Sequence, residues 1–476
     1  MKKIRTRFAP SPTGYLHIGS LRTALFNYLF AKQNNGEFIL RIEDTDQQRL
    51  VEGAADALLE TLESLGLRPD GKIEHQSNRL ALYEKAANKL ISKGLAYPCF
   101  CSSERLDRLR QEQQANKQVP KYDGHCRHLS KDEVAQRLKS VGDKHVVRFK
   151  IPKDKIVQAK DIVYGKISVK TEDLDDFVLI KTDNYPTYHL ANIVDDYTMG
   201  ISHVIRGEEW LPSLPKHILL YQALGYPLPE FVHLPLLLNP DKSKLSKRQG
   251  DVAVEDFIKK GYLPEALLNY VALLGWNPGT DQELFLINQL IEQFSLEKIN
   301  KAGAVFDVNK LNWFNAEYIR RIISEAGERY QQLIKQSQGY LQGHEDGAED
   351  ALKLFGSRIN HLSEISELSA FLFKLPAYTA DMLVFKKSDS EKTDQGLNLS
   401  LGSLAKLNDK DWTLENLNQT LEDIAGKHGL TPGDIFWPVR VALSGQEKSP
   451  SPSEILEVLG KEESLNRIKL ALNKLK

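Results

Sequence analysis

The stretch Arg7-Phe8-Ala9-Pro10-Ser11-Pro12-Thr13-Gly14-Tyr15-Leu16-His17-Ile18-Gly19-Ser20 decides how the rest of the chain is read. Ahead of it, Ile4-Arg5-Thr6-Arg7-Phe8 mixes β-branched and aromatic residues and predicts a short strand. Behind it, Leu21, Ala24, Leu25, Tyr28 and Leu29 recur at the spacing of one helix face. The stretch is therefore a loop that ends a strand and opens a helix. Pro10 and Pro12 stiffen it, while Gly14 and Gly19 let backbone approach a ligand. Free N–H groups and the helix dipole favour an anion at such a helix start, and His17 can donate a ring proton to a phosphate there. Taken alone, the same residues also suit an ordinary strand–turn–helix corner with a surface histidine.

Working outward, Phe38-Ile39-Leu40-Arg41-Ile42 predicts a second strand ending in the acidic run Glu43-Asp44-Thr45-Asp46. Acidic residues at that end of a strand in an open sheet stand where ligands bind. Helices are expected over 53–65 and over 80–93, the latter closed by Gly94. Far downstream, Lys244-Leu245-Ser246-Lys247-Arg248 follows the apolar segment Leu234 to Leu238 and the turn Asn239-Pro240-Asp241. A basic pentad is usually a solvated loop. Here Ser246 and Gly250 interrupt it, which suits a loop that closes over a ligand.

His17-Ile18-Gly19-Ser20 and Lys244-Leu245-Ser246-Lys247-Arg248 resemble the paired signatures of class I aminoacyl-tRNA synthetases, written HIGH and KMSKS. Phe8 to Gly14, Arg41 to Asp46, Tyr185 to Ala191 and Gly303-Ala304-Val305-Phe306-Asp307 extend the likeness. Together, in this order, they resemble the glutamyl-tRNA synthetase family of the bacterial or organellar type over essentially the whole chain. The resemblance implies an α/β fold: a Rossmann-like catalytic domain over 1–84 and 186–240, interrupted by a zinc-containing acceptor-binding domain over 85–185. A stem-contact domain carrying the lysine loop follows over 241–320, then an all-α anticodon-binding region of two subdomains, 321–380 and 381–476. It implies formation of glutamyl-adenylate from ATP and L-glutamate with Mg²⁺, then transfer to the terminal adenosine of tRNA(Glu) by a monomeric enzyme. By the same resemblance His17, Gly19, Glu208, Lys244, Ser246 and Lys247 serve ATP. Arg7, Tyr188 and Arg206 form a side-chain carboxylate pocket, and Ser11, Glu43 and Asn192 hold the amino-acid head. Arg358 resembles an arginine tied to reading the anticodon. A glutaminyl-tRNA synthetase shares the catalytic core, but its anticodon region is β-rich, against the helical pattern here. A non-catalytic RNA-binding relative is the other alternative, and the intact His17, Lys244 and Lys247 argue against it.

The residues themselves support parts of this. Arginine forks match a carboxylate in shape and charge, and Arg7 and Arg206 flank the two halves of the expected catalytic domain. All three cysteines fall close together, in Cys99-x-Cys101-x24-Cys126-x-His128. Three thiols and an imidazole are the number and softness that one tetrahedral Zn²⁺ takes. A Cys99–Cys101 disulfide would be strained. Basic residues between the pairs, such as Arg105 and Lys121, suit a phosphate backbone or simply a solvated helix face.

Composition sets the outer bounds. With 476 residues, 41% hydrophobic and 27% charged, the chain reads as a soluble globular protein of about three domains. A formal net charge of −1 supplies no global field for nucleic acid, so RNA contact must come from local basic patches. No apolar run approaches a membrane span. Met1-Lys2-Lys3 leads straight into the first strand with no room for a leader. That favours a bacterial-type cytoplasm, with a mitochondrial or plastid origin still open.

Overall fold

The computed structural model describes residues 3–141, 144–245 and 253–476. It divides into two compact units, Met1–Lys259 with Pro264–Val308, and Lys260–Leu263 with Asn309–Lys476.

In the first unit, β1 (Arg5–Phe8) pairs in parallel with β2 (Glu37–Ile42), which pairs in parallel with β3 (Glu74–His75). Helix α1 (Ile18–Gln33) makes the crossover between β1 and β2. The strand, loop and helix expected around Arg7 to Ser20 are thus all present. The expected apolar stripe is only part of what α1 buries, because Ile18, Arg22, Phe26, Asn27 and Ala31 are buried as well. The helix is packed on several sides, touching β1, β2 and the helices Pro264–Ala272 and Ile287–Gln293.

A three-stranded antiparallel sheet follows, β4 (Ala96–Cys99), β5 (Val146–Phe149) and β8 (Val178–Ile180). Between its strands come β6 (Ile156–Asp161) and β7 (Gly165–Lys170), an antiparallel hairpin. That hairpin joins another sheet, in the order β7-β6-β10-β9, with β9 at His203–Gly207 and β10 at Glu230–Leu234. β9 and β10 are parallel, and β6 lies parallel to β10 where Asp161 faces Phe231. β1 runs beside β9, tied at its start by Ser202 N–H to the Arg5 carbonyl at 2.9 Å. One core runs through Tyr83, Phe149, Leu179, Leu190, Ile193, Leu220 and Phe231. The C-terminal ends of β1 and β9 therefore lie side by side on a rigid base, where open α/β sheets bind ligands.

The second unit is helical. Its last four helices, Ser390–Ala405, Leu414–His428, Pro432–Ser444 and Pro452–Leu475, pack on one another. In Leu414–His428 the apolar residues Leu417, Leu421 and Ile424 are buried one turn apart, while Leu414 at the helix start stays 43% exposed. The helix ends on Gly429 at φ +67°, and the next starts with Pro432 at its first position. Thr431 and Asp434 close that start as a capping box. Among the described residues no helix is long and apolar enough to cross a membrane.

Candidate active site

A cavity of about 310 Å³ opens at the C-terminal ends of β1 and β9. Arg7, Ser11, His17, Gly19, Glu43, Tyr188, Arg206 and Lys244 all line it. Ser246 and Lys247 lie outside the described residues.

His17 is the N-cap of α1, and its Nδ1 accepts the Gly19 N–H at 3.0 Å. With Nδ1 as acceptor, the neutral ring carries its proton on Nε2. A Cβ on residue 19 would stand 3.3 Å from that Nδ1, so the missing side chain makes room for the ring. Gly19 lines the cavity as expected of an ATP-site residue, with its N–H engaged by His17. Glu208 departs from expectation. Its carboxylate accepts from the Tyr164 hydroxyl and from Leu236 N–H at 3.1 Å, and Glu209, not Glu208, lines the cavity. Arg22 lines it too. Its guanidinium donates to the carbonyls of Leu274 and Pro235, and burial pushes its pKa down to about 10 against the pull of Glu209 and Glu208.

Around Arg206 every identified partner is neutral. Nε donates to His233 Nε2 at 3.0 Å, and one terminal nitrogen meets the Tyr188 hydroxyl at 3.0 Å and His217 Nδ1 at 3.2 Å. The other terminal nitrogen is buried and has no hydrogen-bond partner among the described residues. Trp210 stacks on Tyr188 with centroids 4.0 Å apart, closing one side. Burial holds His217 well below the usual imidazole range, with Arg206 adding to the effect.

Arg7 behaves differently. Its Nε donates to Asp196 Oδ1 at 3.1 Å, and Asp196 also takes Arg41 at 2.7 Å. Arg41 reaches on to Glu43 at 3.0 Å and to Asn192 Oδ1 at 3.1 Å. Burial alone would raise the Asp196 carboxyl, but Arg7 and Arg41 hold it below the usual carboxylate range. For Glu43 burial prevails over Arg41 and the carboxyl is raised. Arg7 thus reaches the cavity with its charge shared by Asp196, and Asn192 stands behind Glu43 instead of lining the space. The sequence reading assigned no role to Arg41, Asp195 or Asp196. Their signal was available: a cation inside the apolar run Phe38–Ile42, and two acids closing the apolar run Ile193-Val194 of a helix.

The cysteine group lies apart. The sulfurs of Cys99, Cys101 and Cys126 all lie within 4.8 Å of one another. The Tyr122 oxygen stands 3.3 Å from Cys99 Sγ and 3.6 Å from Cys101 Sγ. Arg148 donates to Cys99 Sγ at 3.4 Å, and Arg105 to Cys101 Sγ at 3.6 Å. The Cys126 hydrogen bond leads the effects that bring the Cys99 thiol down to about 4, so one thiolate is already favoured. Three soft donors at this separation fit a tetrahedral metal site. His128 does not join them. It is exposed and lines a separate cavity with Arg127, past the turn in which Gly124 takes φ +74°. The C-x-H spacing allowed a histidine ligand that is not among the grouped donors, and Tyr122 brings a hydroxyl oxygen to two of the sulfurs.

In the helical unit Arg358 donates to Glu454 at 2.6 Å and lines a small cavity with Phe355, Leu368 and Lys448.

Residues 3–313 match the family model for the catalytic domain of class I tRNA synthetases (E and Q), and residues 307–472 match the anticodon binding domain. The fold and the cavity at its strand ends are accordingly those of a class I tRNA synthetase. A glutamate–tRNA ligase of Clostridium novyi (strain NT) is 45% identical over 489 residues, covering 100% of this chain and 99% of that one. That of Clostridium tetani is 45% identical over 488 residues, covering 100% and 98%. The chain belongs to the glutamate–tRNA ligase family. The crystal structure of a glutamate tRNA ligase from Elizabethkingia meningosepticum, in complex with its amino acid, superposes with a TM-score of 0.89 at 37% identity, covering 100% of both chains.

Proposed function

We propose that this chain attaches L-glutamate to tRNA(Glu) in two steps. The observation that carries the reading is Arg206: a buried guanidinium with one unpartnered nitrogen and no bonded carboxylate, facing a cavity. A side-chain carboxylate supplies the missing acceptor and charge. Glu43 and Ser11, across the same cavity, hold the amino-acid head.

In the first step the α-carboxylate of glutamate attacks the α-phosphorus of ATP and pyrophosphate leaves. In the second a ribose hydroxyl of the terminal adenosine attacks the activated carbonyl. No covalent protein nucleophile is needed, since positioning and charge stabilisation supply the catalysis. The Nε2–H of His17 donates to the phosphate region, and Lys244 with Lys247 meets the departing pyrophosphate. Mg²⁺ shares that charge when bound, and it arrives on the substrate's phosphates without needing a protein cage. A second cavity of about 540 Å³ shares Ser11, Glu43, Tyr188 and Trp210 with the first, leaving room for the second substrate beside it.

The region 85–185 receives the acceptor end, 241–320 the stem, and the helical remainder, with subdomains meeting near 380, the anticodon, where Arg358 takes part. Cys99, Cys101 and Cys126 hold one structural Zn²⁺, with Tyr122 offering the fourth donor. Bound there, zinc ties β4 to the segment around Cys126. The enzyme works as a monomer in a bacterial-type cytoplasm. Charging of purified tRNA(Glu) with labelled glutamate and ATP tests the reading. Glutamate-dependent ester formation is expected, and its absence with intact protein overturns it.

A further inference from the structure

Arg206 is held from behind by a chain of groups to which the reaction itself gives no task. Asp161 Oδ2 meets His233 Nδ1 at 2.7 Å, while Asp161 Oδ1 accepts the N–H groups of Val163 at 3.0 Å and Tyr164 at 2.8 Å. Both Asp161 and His233 are buried. A carboxylate on Nδ1 requires the proton there, so Nε2 keeps its lone pair, and that lone pair accepts Arg206 Nε–H at 3.0 Å. On the other flank His217 Nδ1 accepts from Arg206, which leaves the His217 proton on Nε2, directed at His189 Nδ1 3.1 Å away.

We propose that Asp161, His233 and His217 are positioning residues for specificity, orienting Arg206 through neutral imidazole lone pairs so that its positive charge is left for the substrate. A carboxylate bonded directly to Arg206 would orient it equally well but would cancel the charge that tells glutamate from glutamine. An imidazole accepts the hydrogen bond and brings no countercharge. Asp161 sets the tautomer from one ring further away. The device is carried by the turn of the β6–β7 hairpin, so a strand inserted far from β9 in sequence finishes the pocket.

The inference rests on the glutamate reading of the pocket, and the test separates the two. Glutamate-dependent ATP–pyrophosphate exchange, with tRNA(Glu) present, is measured for the full-length wild type, His233→Leu, His233→Gln and Asp161→Asn. His233→Leu removes the acceptor and should raise glutamate KM at least tenfold, with ATP KM and kcat within about threefold of wild type. Its preference for glutamate over glutamine should fall by a similar factor. His233→Gln places an amide oxygen near the former Nε2 and should recover most of that loss. Asp161→Asn frees the tautomer and should fall between them, and it carries the test by the same readouts if His233→Leu does not fold. Equal effects of Leu and Gln, unchanged glutamate KM, or ATP KM and kcat moving in step with it would each overturn the proposal. A wild type with no glutamate-dependent exchange overturns the glutamate reading, and the inference with it. Wild-type exchange with indifferent variants overturns the inference alone.

Discussion

On one wall of the cavity Arg7 and Arg41 converge on Asp196 at 3.1 and 2.7 Å, and Glu43 closes the group. On the other, Arg206 is held by two imidazole rings and a tyrosine hydroxyl and bonds no carboxylate among the described residues. Both walls bury arginine, but only the first compensates it. A compensated buried pair is costly to break from either side and adds little field. An uncompensated cation is tolerated because the ligand completes it. The first wall is therefore architecture that orients Glu43, and the second reads charge.

The largest effect that separates the walls is on stability. Asp196→Asn removes the carboxylate that Arg7 and Arg41 share, and should cost ~3–5 kcal/mol in urea unfolding. A loss under ~1 kcal/mol would show that the pairs are not the framework described here. Arg206→Ala should do the reverse. Glutamate KM should rise about 10²-fold, ATP KM should barely move, and the unfolding free energy should change little, because no bonded carboxylate is orphaned. A rise in ATP KM with selectivity intact would move this arginine to the nucleotide.

Acid provides a smaller test of the neutral wall. Burial pushes His189, the ring bonded to His217, down to about 4 from its ordinary 6.5. Below about pH 6.5 the unfolded chain takes up this proton and the folded chain does not, so stability rises with pH across that window. The contribution is complete above it and lost as pH falls towards 4. Thermal melts at pH 7 and pH 5 should differ by ~1–2 kcal/mol from this ring, and His189→Gln should flatten the difference. Equal slopes would mean that the ring titrates normally.

The smallest expected effect lies outside both walls. The purified chain should carry about one zinc, and Cys101→Ser should release it, lowering tRNA charging about tenfold while ATP binding holds. Tyr122→Phe should weaken zinc retention, and His128→Ala should leave it unchanged. Metal analysis after mild chelation distinguishes them, and the opposite order would restore the histidine.

Local pattern carried much of the fold. The corner around His17, the strand Glu37–Ile42 and the Gly429–Pro432 break all follow from spacing, capping and turn residues. The cavity's lining was also within reach, because Arg7 and Glu43 sit at predicted strand ends and Arg206 flanks the other half of the expected catalytic domain. What escaped is long-range pairing. Asp161 meets His233 across 72 residues and Arg41 meets Asp196 across 155, and no period or motif in one segment records its partner in another. His128 stands apart from the grouped sulfurs for a related reason: spacing limits which ligands are possible but does not fix where each side chain points.

The separation of 155 positions from Arg41 to Asp196 also has a cost in time. On a translating ribosome, at ~5–20 residues per second, Arg41 has Glu43 at once but waits roughly 8–30 s for Asp196. Throughout that interval β2 carries a guanidinium with only Glu43 of its acidic partners in place. The strands β4, β5 and β8 are synthesised ahead of Asp196, but the core they share is closed only by later residues such as Leu220 and Phe231. The amino-terminal stretch that decides the fold is thus among the last parts of its own unit to settle. A chain ending just before residue 195 should leave β1, α1 and β2 protease-sensitive, and the full-length chain should protect them.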